Sequence, residues 1–207
     1  METCRFLERH GVDVTYLPVD AEGFVDPAEL TRALRRTTRL VSIMTANNVV
    51  GTLQPINELG RIARAHGVLF HTDAVQAAGK IPLDMRTQPI DLLSVSAHKL
   101  YGPKGIGALY VRRGVDLAPL IHGGGQEHGL RSATENVAGI VGFGRAAQIA
   151  ASEMADEAVR LVLLRDHLID SVIARIPNAY VIGSRYLALR SLRPLTSYPA
   201  MPIQESA

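Results

Sequence analysis

Residues 67–76 read Gly67-Val68-Leu69-Phe70-His71-Thr72-Asp73-Ala74-Val75-Gln76. The apolar run Val68–Phe70, entered from a glycine, predicts a strand buried on both faces, as in a parallel sheet. Asp73 then falls at the carboxyl end of that strand, where open α/β sheets bind their ligands. A carboxylate there has two readings. It can face a ligand, or it can cap a helix starting at Ala74-Val75-Gln76-Ala77-Ala78.

Working outward, the next informative stretch is Ser96-Ala97-His98-Lys99-Leu100-Tyr101-Gly102-Pro103-Lys104-Gly105-Ile106-Gly107. It sets a lysine at the end of an apolar run and just before a glycine-rich turn. Partial desolvation lowers an amine's pKa and makes it a nucleophile toward a carbonyl. Ser96 and His98 can donate hydrogen bonds to an anion beside it. This layout suits a Schiff-base lysine, Lys99, holding a phosphorylated aldehyde, pyridoxal 5'-phosphate. Asp73 then has a task, keeping the pyridine nitrogen protonated so that the ring accepts electrons. Gln76 is placed to donate toward the ring's phenolate oxygen. The plain alternative for Lys99 is a surface lysine entering a turn.

Two further segments bear on the choice. Thr45-Ala46-Asn47-Asn48 ends the apolar run Leu40–Met44, and an amide at a strand end can bond a cofactor oxygen without adding charge. Asparagine is equally a common turn residue. His122-Gly123-Gly124-Gly125-Gln126-Glu127 precedes Arg131-Ser132-Ala133-Thr134, and three glycines let backbone approach a ligand closely or simply form a flexible loop. His122 and His128 have no cysteine pair or His-Glu-x-x-His spacing beside them, so no metal site is expected. No Walker A sequence or dinucleotide fingerprint is present.

These segments, in this order, resemble the class V aminotransferase family of pyridoxal-phosphate enzymes, and within it the cysteine desulfurases of the NifS and IscS type. The resemblance covers roughly residues 1–184. It implies an α/β fold, the large domain of a fold-type I pyridoxal-phosphate-dependent transferase, with a mainly parallel sheet and helices on both faces. It also implies a role for each matching residue. Lys99 is the Schiff-base lysine and Asp73 the pyridinium partner. Asn48 and Gln76 contact the phenolic oxygen, and Ser96 and His98 hold the phosphate. Thr134 matches a threonine that reaches the cofactor phosphate of the neighbouring subunit. Two departures stand out. Val49 replaces the usual glutamate after the asparagine pair, and Ala133 replaces the usual glycine before the threonine.

The family extends further in both directions. Its phosphate-cradling loop and ring-stacking histidine upstream have no match here, nor do its catalytic cysteine and carboxylate-binding arginine downstream. Cys4 precedes the asparagine pair and cannot be that cysteine by order. The implied function is therefore cysteine desulfurase-like, the removal of sulfur from L-cysteine to give alanine and an enzyme persulfide, on an incomplete chain. Selenocysteine lyase and an inactive dimerising fragment are the alternatives. A homodimer and a sulfur-acceptor protein are the implied partners.

Composition narrows the setting. Hydrophobic residues make up 47% and charged ones 20%, enough to bury a core. The one cysteine excludes an internal disulfide and suggests a reducing, cytoplasmic compartment. No apolar run approaches the roughly 20 residues of a spanning helix, and no signal peptide is expected from Met1-Glu2-Thr3-Cys4-Arg5. The net charge of +2 comes from the end of the chain, where Arg185, Arg190 and Arg193 face only Glu205. The body is balanced, and nucleic-acid binding is not expected.

The expected elements alternate. Helix is predicted over 3–10, strand over 12–17, and helix from Asp26-Pro27 to about Arg36. Strand 39–45, a helix opened by Pro55, and strands 68–72, 92–96 and 107–112 follow. Residues 136–175 read as one long packing helix. Residues 1–184 are expected to be the central part of the cofactor-binding domain. From Arg185 the chain turns rich in Leu, Arg, Ser and Pro, and is read as a divergent, irregular tail.

Overall fold

The computed structural model describes residues 1–184, together with the backbone of Leu195–Thr196. Its centre is a four-stranded sheet. Strands β1 (Leu40–Ser42), β2 (Leu69–Asp73) and β3 (Leu92–Ser96) are parallel neighbours, and β4 (Gly107–Val111) lies antiparallel on β3. The α/β, mostly parallel class expected from the sequence is the one observed.

The core forms between this sheet and two short helices. Helix α2 (Pro27–Ala33) is capped by Asp26, whose Oδ1 accepts from Ala28 N at 2.8 Å, and Pro27 takes the first position. It ends at Ala33 rather than near Arg36, because Leu34 turns to an extended ψ of 131°. Helix α3 (Ile56–Ala65) buries Ile56, Leu59 and Ala63 beside Phe70 and Leu93. Gly60 is required there. A Cβ at that position would meet Pro89 O at 2.5 Å and Phe70 Cδ1 at 3.1 Å. Fully burying each of the larger core side chains is worth about 1.5–3 kcal/mol.

Asp91 ties the entry of the sheet together. Its Oδ2 accepts from Phe70 N at 2.9 Å, and Oδ1 faces Arg112 Nε at 3.4 Å. Arg112 also donates to Ile90 O, Met85 O and Gln88 O, each at 2.8 Å. These bonds tie the starts of β2 and β3 to the end of the antiparallel β4 and leave the carboxyl edge of β1, β2 and β3 free for a site.

Three expectations need correction. Residues 12–17 run without strand pairing, because a strand needs a neighbouring ladder and these amides join none. No helix follows Asp73. Residues 75–80 form turns instead, and Asp73 Oδ1 accepts from Val75 N, two residues on, at 2.9 Å. Helix α4 (Val137–Arg175) has the expected span and is capped by Asn136, but it is less buried than a packing helix. Gly139, Ala158 and Ile169 are buried, whereas Val141, Leu164 and Leu168 stay exposed.

Helix α1 (Glu2–Glu8) matches its prediction, closed by Gly11 at φ 85°. Strands β5 (Tyr180–Val181) and β6 (Leu195–Thr196) pair antiparallel. The boundary at 184 and the irregular tail from Arg185 lie otherwise outside the described residues. Among the described residues, no helix is long and apolar enough to cross a membrane.

Candidate active site

The carboxyl ends of β1, β2 and β3 are adjacent, and backbone bonds extend the sheet into them. Thr45 N donates to Asp73 O at 2.8 Å, and Ala74 N donates to Ser94 O at 3.0 Å. Three segments chosen from the sequence thus meet at one edge: Asn48 after β1, Asp73 and Gln76 after β2, and Ser96, His98 and Lys99 after β3.

Strand alternation makes one face of this edge polar. Ser42 pairs in register with His71, and Asp73 with Ser94. His71 Nδ1 lies 2.8 Å from Ser42 Oγ, and its Nε2 lies 2.9 Å from Ser94 Oγ. The imidazole therefore bridges three strands beside Asp73. Burial pushes its pKa below the ordinary 6.5, opposed by the weaker attraction of the Asp73 carboxylate. A neutral ring suits this bridge, with one nitrogen donating and the other accepting.

The two asparagines divide the work. Asn47 Oδ1 accepts from Val49 N at 2.7 Å and Val50 N at 2.9 Å, so Asn47 builds the turn. Asn48 is exposed, and its side chain makes no hydrogen bond among the described residues. The turn reading holds for the first asparagine and leaves the second amide available.

Lys99 lies in a 3₁₀ turn, Ala97–Leu100, that leaves β3 directly. Tyr101 ends it with a left-handed φ of 61°, and Gly102 N closes back on Ala97 O at 2.9 Å. The turn packs against α4. Ser96 Oγ lies 2.7 Å from His98 Nδ1, which holds the two side chains as one unit. Lys99 is half-buried and Asp73 exposed, and neither takes part in an ion pair among the described residues. Such a pairless amine and carboxylate retain their chemistry for an incoming group.

Thr134 stands apart from this cluster. It is exposed, makes no hydrogen bond among the described residues, and lies two residues before the α4 cap Asn136. Its loop is held by a bridge between Ile121 and Arg131, with Ser132 buried and Ala133 at φ 99°. A groove of about 760 Å³ beside Pro18, Phe24, Leu53 and Pro55 contains none of the predicted site residues. No group of three or more metal-ligating side chains occurs among the described residues.

Sequence reasoning passed over Lys80. It is half-buried, and its Nζ donates to Gln76 Oε1 at 3.3 Å. It also passed over the buried Thr45–Thr72 pair. The one available signal for Lys80 was the glycine before it, which marks a tight turn after Gln76.

The family model for aminotransferase class-V matches residues 2–193, so the likeness runs past residue 184. The cysteine desulfurase IscS of Dictyoglomus turgidum is 55% identical over 185 residues, 89% of this chain and 47% of that protein. The cysteine desulfurase IscS of Methanosarcina thermophila is 51% identical over 183 residues, 88% of this chain and 45% of that protein. Among solved structures, a NifS-like protein superposes with a TM-score of 0.87 at 46% identity, covering 91% of this chain and 52% of that one. SspA in complex with cysteine gives 0.69 at 50% identity, covering 71% and 43%. The chain spans about half the length of the curated relatives it matches. With a family match over nearly all its length, the chain belongs to the aminotransferase class-V family.

Proposed function

We propose that this chain is the lysine-bearing portion of a pyridoxal 5'-phosphate-dependent cysteine desulfurase. The observation that carries the reading is the meeting of Lys99, Asp73, Gln76, Ser96, His98 and Asn48 at one sheet edge, with Lys99 and Asp73 outside any ion pair among the described residues. The donor set fits the group's chemistry. The free carboxylate oxygen of Asp73 suits a protonated ring nitrogen, and the linked Ser96 and His98 suit a phosphate.

When bound, pyridoxal phosphate supplies an electron sink for bonds broken at the substrate's α-carbon. Asp73 would hold the proton on the ring nitrogen. Asn48 and Gln76 would direct amide N–H groups at the phenolic oxygen. Ser96 and His98 would orient the phosphate. Lys99 Nζ would anchor the aldehyde and afterwards carry a proton at the substrate's α-carbon. Cysteine as substrate is supported by the names of the relatives and by the solved relative in complex with cysteine. Thr134, exposed and unbonded among the described residues, is proposed to serve the site of a second copy in a homodimer. A sulfur-acceptor protein and a reducing, cytoplasmic setting complete the reading.

The test is borohydride reduction after incubation with pyridoxal phosphate, followed by proteolysis and mass spectrometry. The expected adduct is on Lys99, and Lys99→Ala abolishes it. An adduct on Lys80 or Lys104 instead overturns the assignment.

A further inference from the structure

Lys80 has no role in the site as derived so far, yet the fold brings it there. Gly79 adopts φ 69°, and a Cβ at that position would collide with Leu100 Cδ2 and come within 2.9 Å of Ala150 Cβ. The turn after Gln76 is thereby pressed onto the end of the 3₁₀ turn that carries Lys99. Lys80 follows Gly79 directly, half-buried, with Nζ 3.3 Å from Gln76 Oε1. Burial, and then the charge of Lys99, lower its pKa from 10.5.

The amide chemistry gives this contact a consequence. A lysine ammonium has three donors and no acceptor. Its partner on Gln76 must therefore be the carbonyl oxygen, and the amide NH2 is turned to the other side. That NH2 has no hydrogen-bond partner among the described residues. The oxygen and nitrogen of a glutamine amide are nearly isosteric, so without Lys80 either end could face a ligand. An oxygen facing the phenolic oxygen of the cofactor would repel it.

We propose that Lys80 is a positioning residue: by holding Gln76 Oε1 it fixes the amide so that Nε2 is the end presented to the cofactor's phenolic oxygen. The inference rests on the cofactor reading above and deepens it.

The experiment uses the full chain with pyridoxal phosphate and four variants, Lys80→Met, Lys80→Arg, Gln76→Leu and the Lys80→Met/Gln76→Leu double. Affinity is read from the visible band of the bound cofactor, together with the pH midpoint of that band. Lys80→Met and Gln76→Leu should each weaken binding roughly tenfold, the upper worth of one hydrogen bond net of solvent. The midpoint should move upward in both, since an oxyanion stripped of a donor binds protons more tightly. The double variant should be no weaker than Gln76→Leu, and Lys80→Arg should stay near wild type. Without cofactor, Lys80→Met should shift the side-chain amide resonances of Gln76. Should Lys80→Met fail to fold, Lys80→Leu carries the same comparison.

A Lys80→Met chain with unchanged affinity, midpoint and amide resonances overturns the proposal while leaving the cofactor reading intact. So does a double variant whose loss is the product of the single losses, because Lys80 would then act independently of Gln76. A wild-type chain that forms no adduct on Lys99 overturns the cofactor reading, and this inference with it.

Discussion

Thr45 Oγ1 lies 2.7 Å from Thr72 Oγ1, and both residues are buried. The bond joins the chain leaving β1 to the penultimate residue of β2, and the bond from Thr45 N to Asp73 O reinforces it. The spacing between Asn48 and Asp73 is set here. Replacing one hydroxyl strands the other in an apolar setting. Thr45→Val or Thr72→Val should each cost roughly 1–3 kcal/mol in urea unfolding. The double variant should cost less than the two added together, because no orphaned hydroxyl remains. Simple additivity would show that the hydroxyls do not depend on each other.

His71 predicts a pH dependence of stability. Its folded pKa lies below the ordinary 6.5 because burial disfavours the imidazolium. The unfolded chain therefore binds the proton first as pH falls. The stabilisation is whole above about 6.5, and is lost as pH drops from there through the lower folded value. Urea midpoints measured from about pH 5 to about pH 8 should rise with pH across that window. His71→Asn should flatten the rise, and an unchanged slope would remove His71 as its cause.

Ala133 carries backbone strain. Its φ of 99° is a conformation that favours glycine, in a loop where Ala133 N donates to Gln126 Oε1 at 3.1 Å. Strain of this kind costs on the order of 1–3 kcal/mol, and glycine returns part of any gain as unfolded-state entropy. Ala133→Gly should therefore stabilise the chain by about 1 kcal/mol. A lower melting temperature for this variant would mean that the loop tolerates alanine without strain.

Cys4 lies half-buried in α1, far in sequence from the site, and is the chain's one thiol. Sulfur transfer from cysteine to an enzyme persulfide needs a thiolate beside the substrate sulfur. This chain should release no sulfide from L-cysteine above a cofactor-only blank, and Cys4→Ser should leave that result unchanged. Release abolished by Cys4→Ser would assign Cys4 the nucleophile's role. Release that survives the substitution would require a route without any protein thiol.

Much of the sheet was legible because its strands announce themselves locally. Leu92–Ser96 is bounded as read, and Asp26-Pro27 and Asn136 start helices where their chemistry predicts. Val12–Leu17 has the composition of a strand, but pairing depends on a neighbour that local pattern cannot supply. Asp73 looked equally like a ligand partner and a helix cap. Its turn to Val75 N satisfies one oxygen without starting a helix, an outcome intermediate between the two. Lys80 was illegible for a different reason. Its burial comes from Gly79 meeting Leu100 and Ala150, contacts far apart in sequence.

The antiparallel strand β4 also bears on the order of assembly. Its first residue, Gly107, pairs with Ser96, so the segment carrying Lys99 is closed by the pairing nearest in sequence within the sheet. Loop-closure entropy is smallest for that contact and larger for the crossovers that bring β2 to β3 and β1 to β2. The lysine loop should thus be among the first parts of the sheet to form, before the strand ends that bring Asp73 and Asn48 beside it. In pulse-labelling hydrogen exchange during refolding, the amides of β3 and β4 should gain protection ahead of those of β1. On that ordering, the amine acquires its surroundings late, and a chain stalled before β1 docks would hold its lysine turn without a finished site.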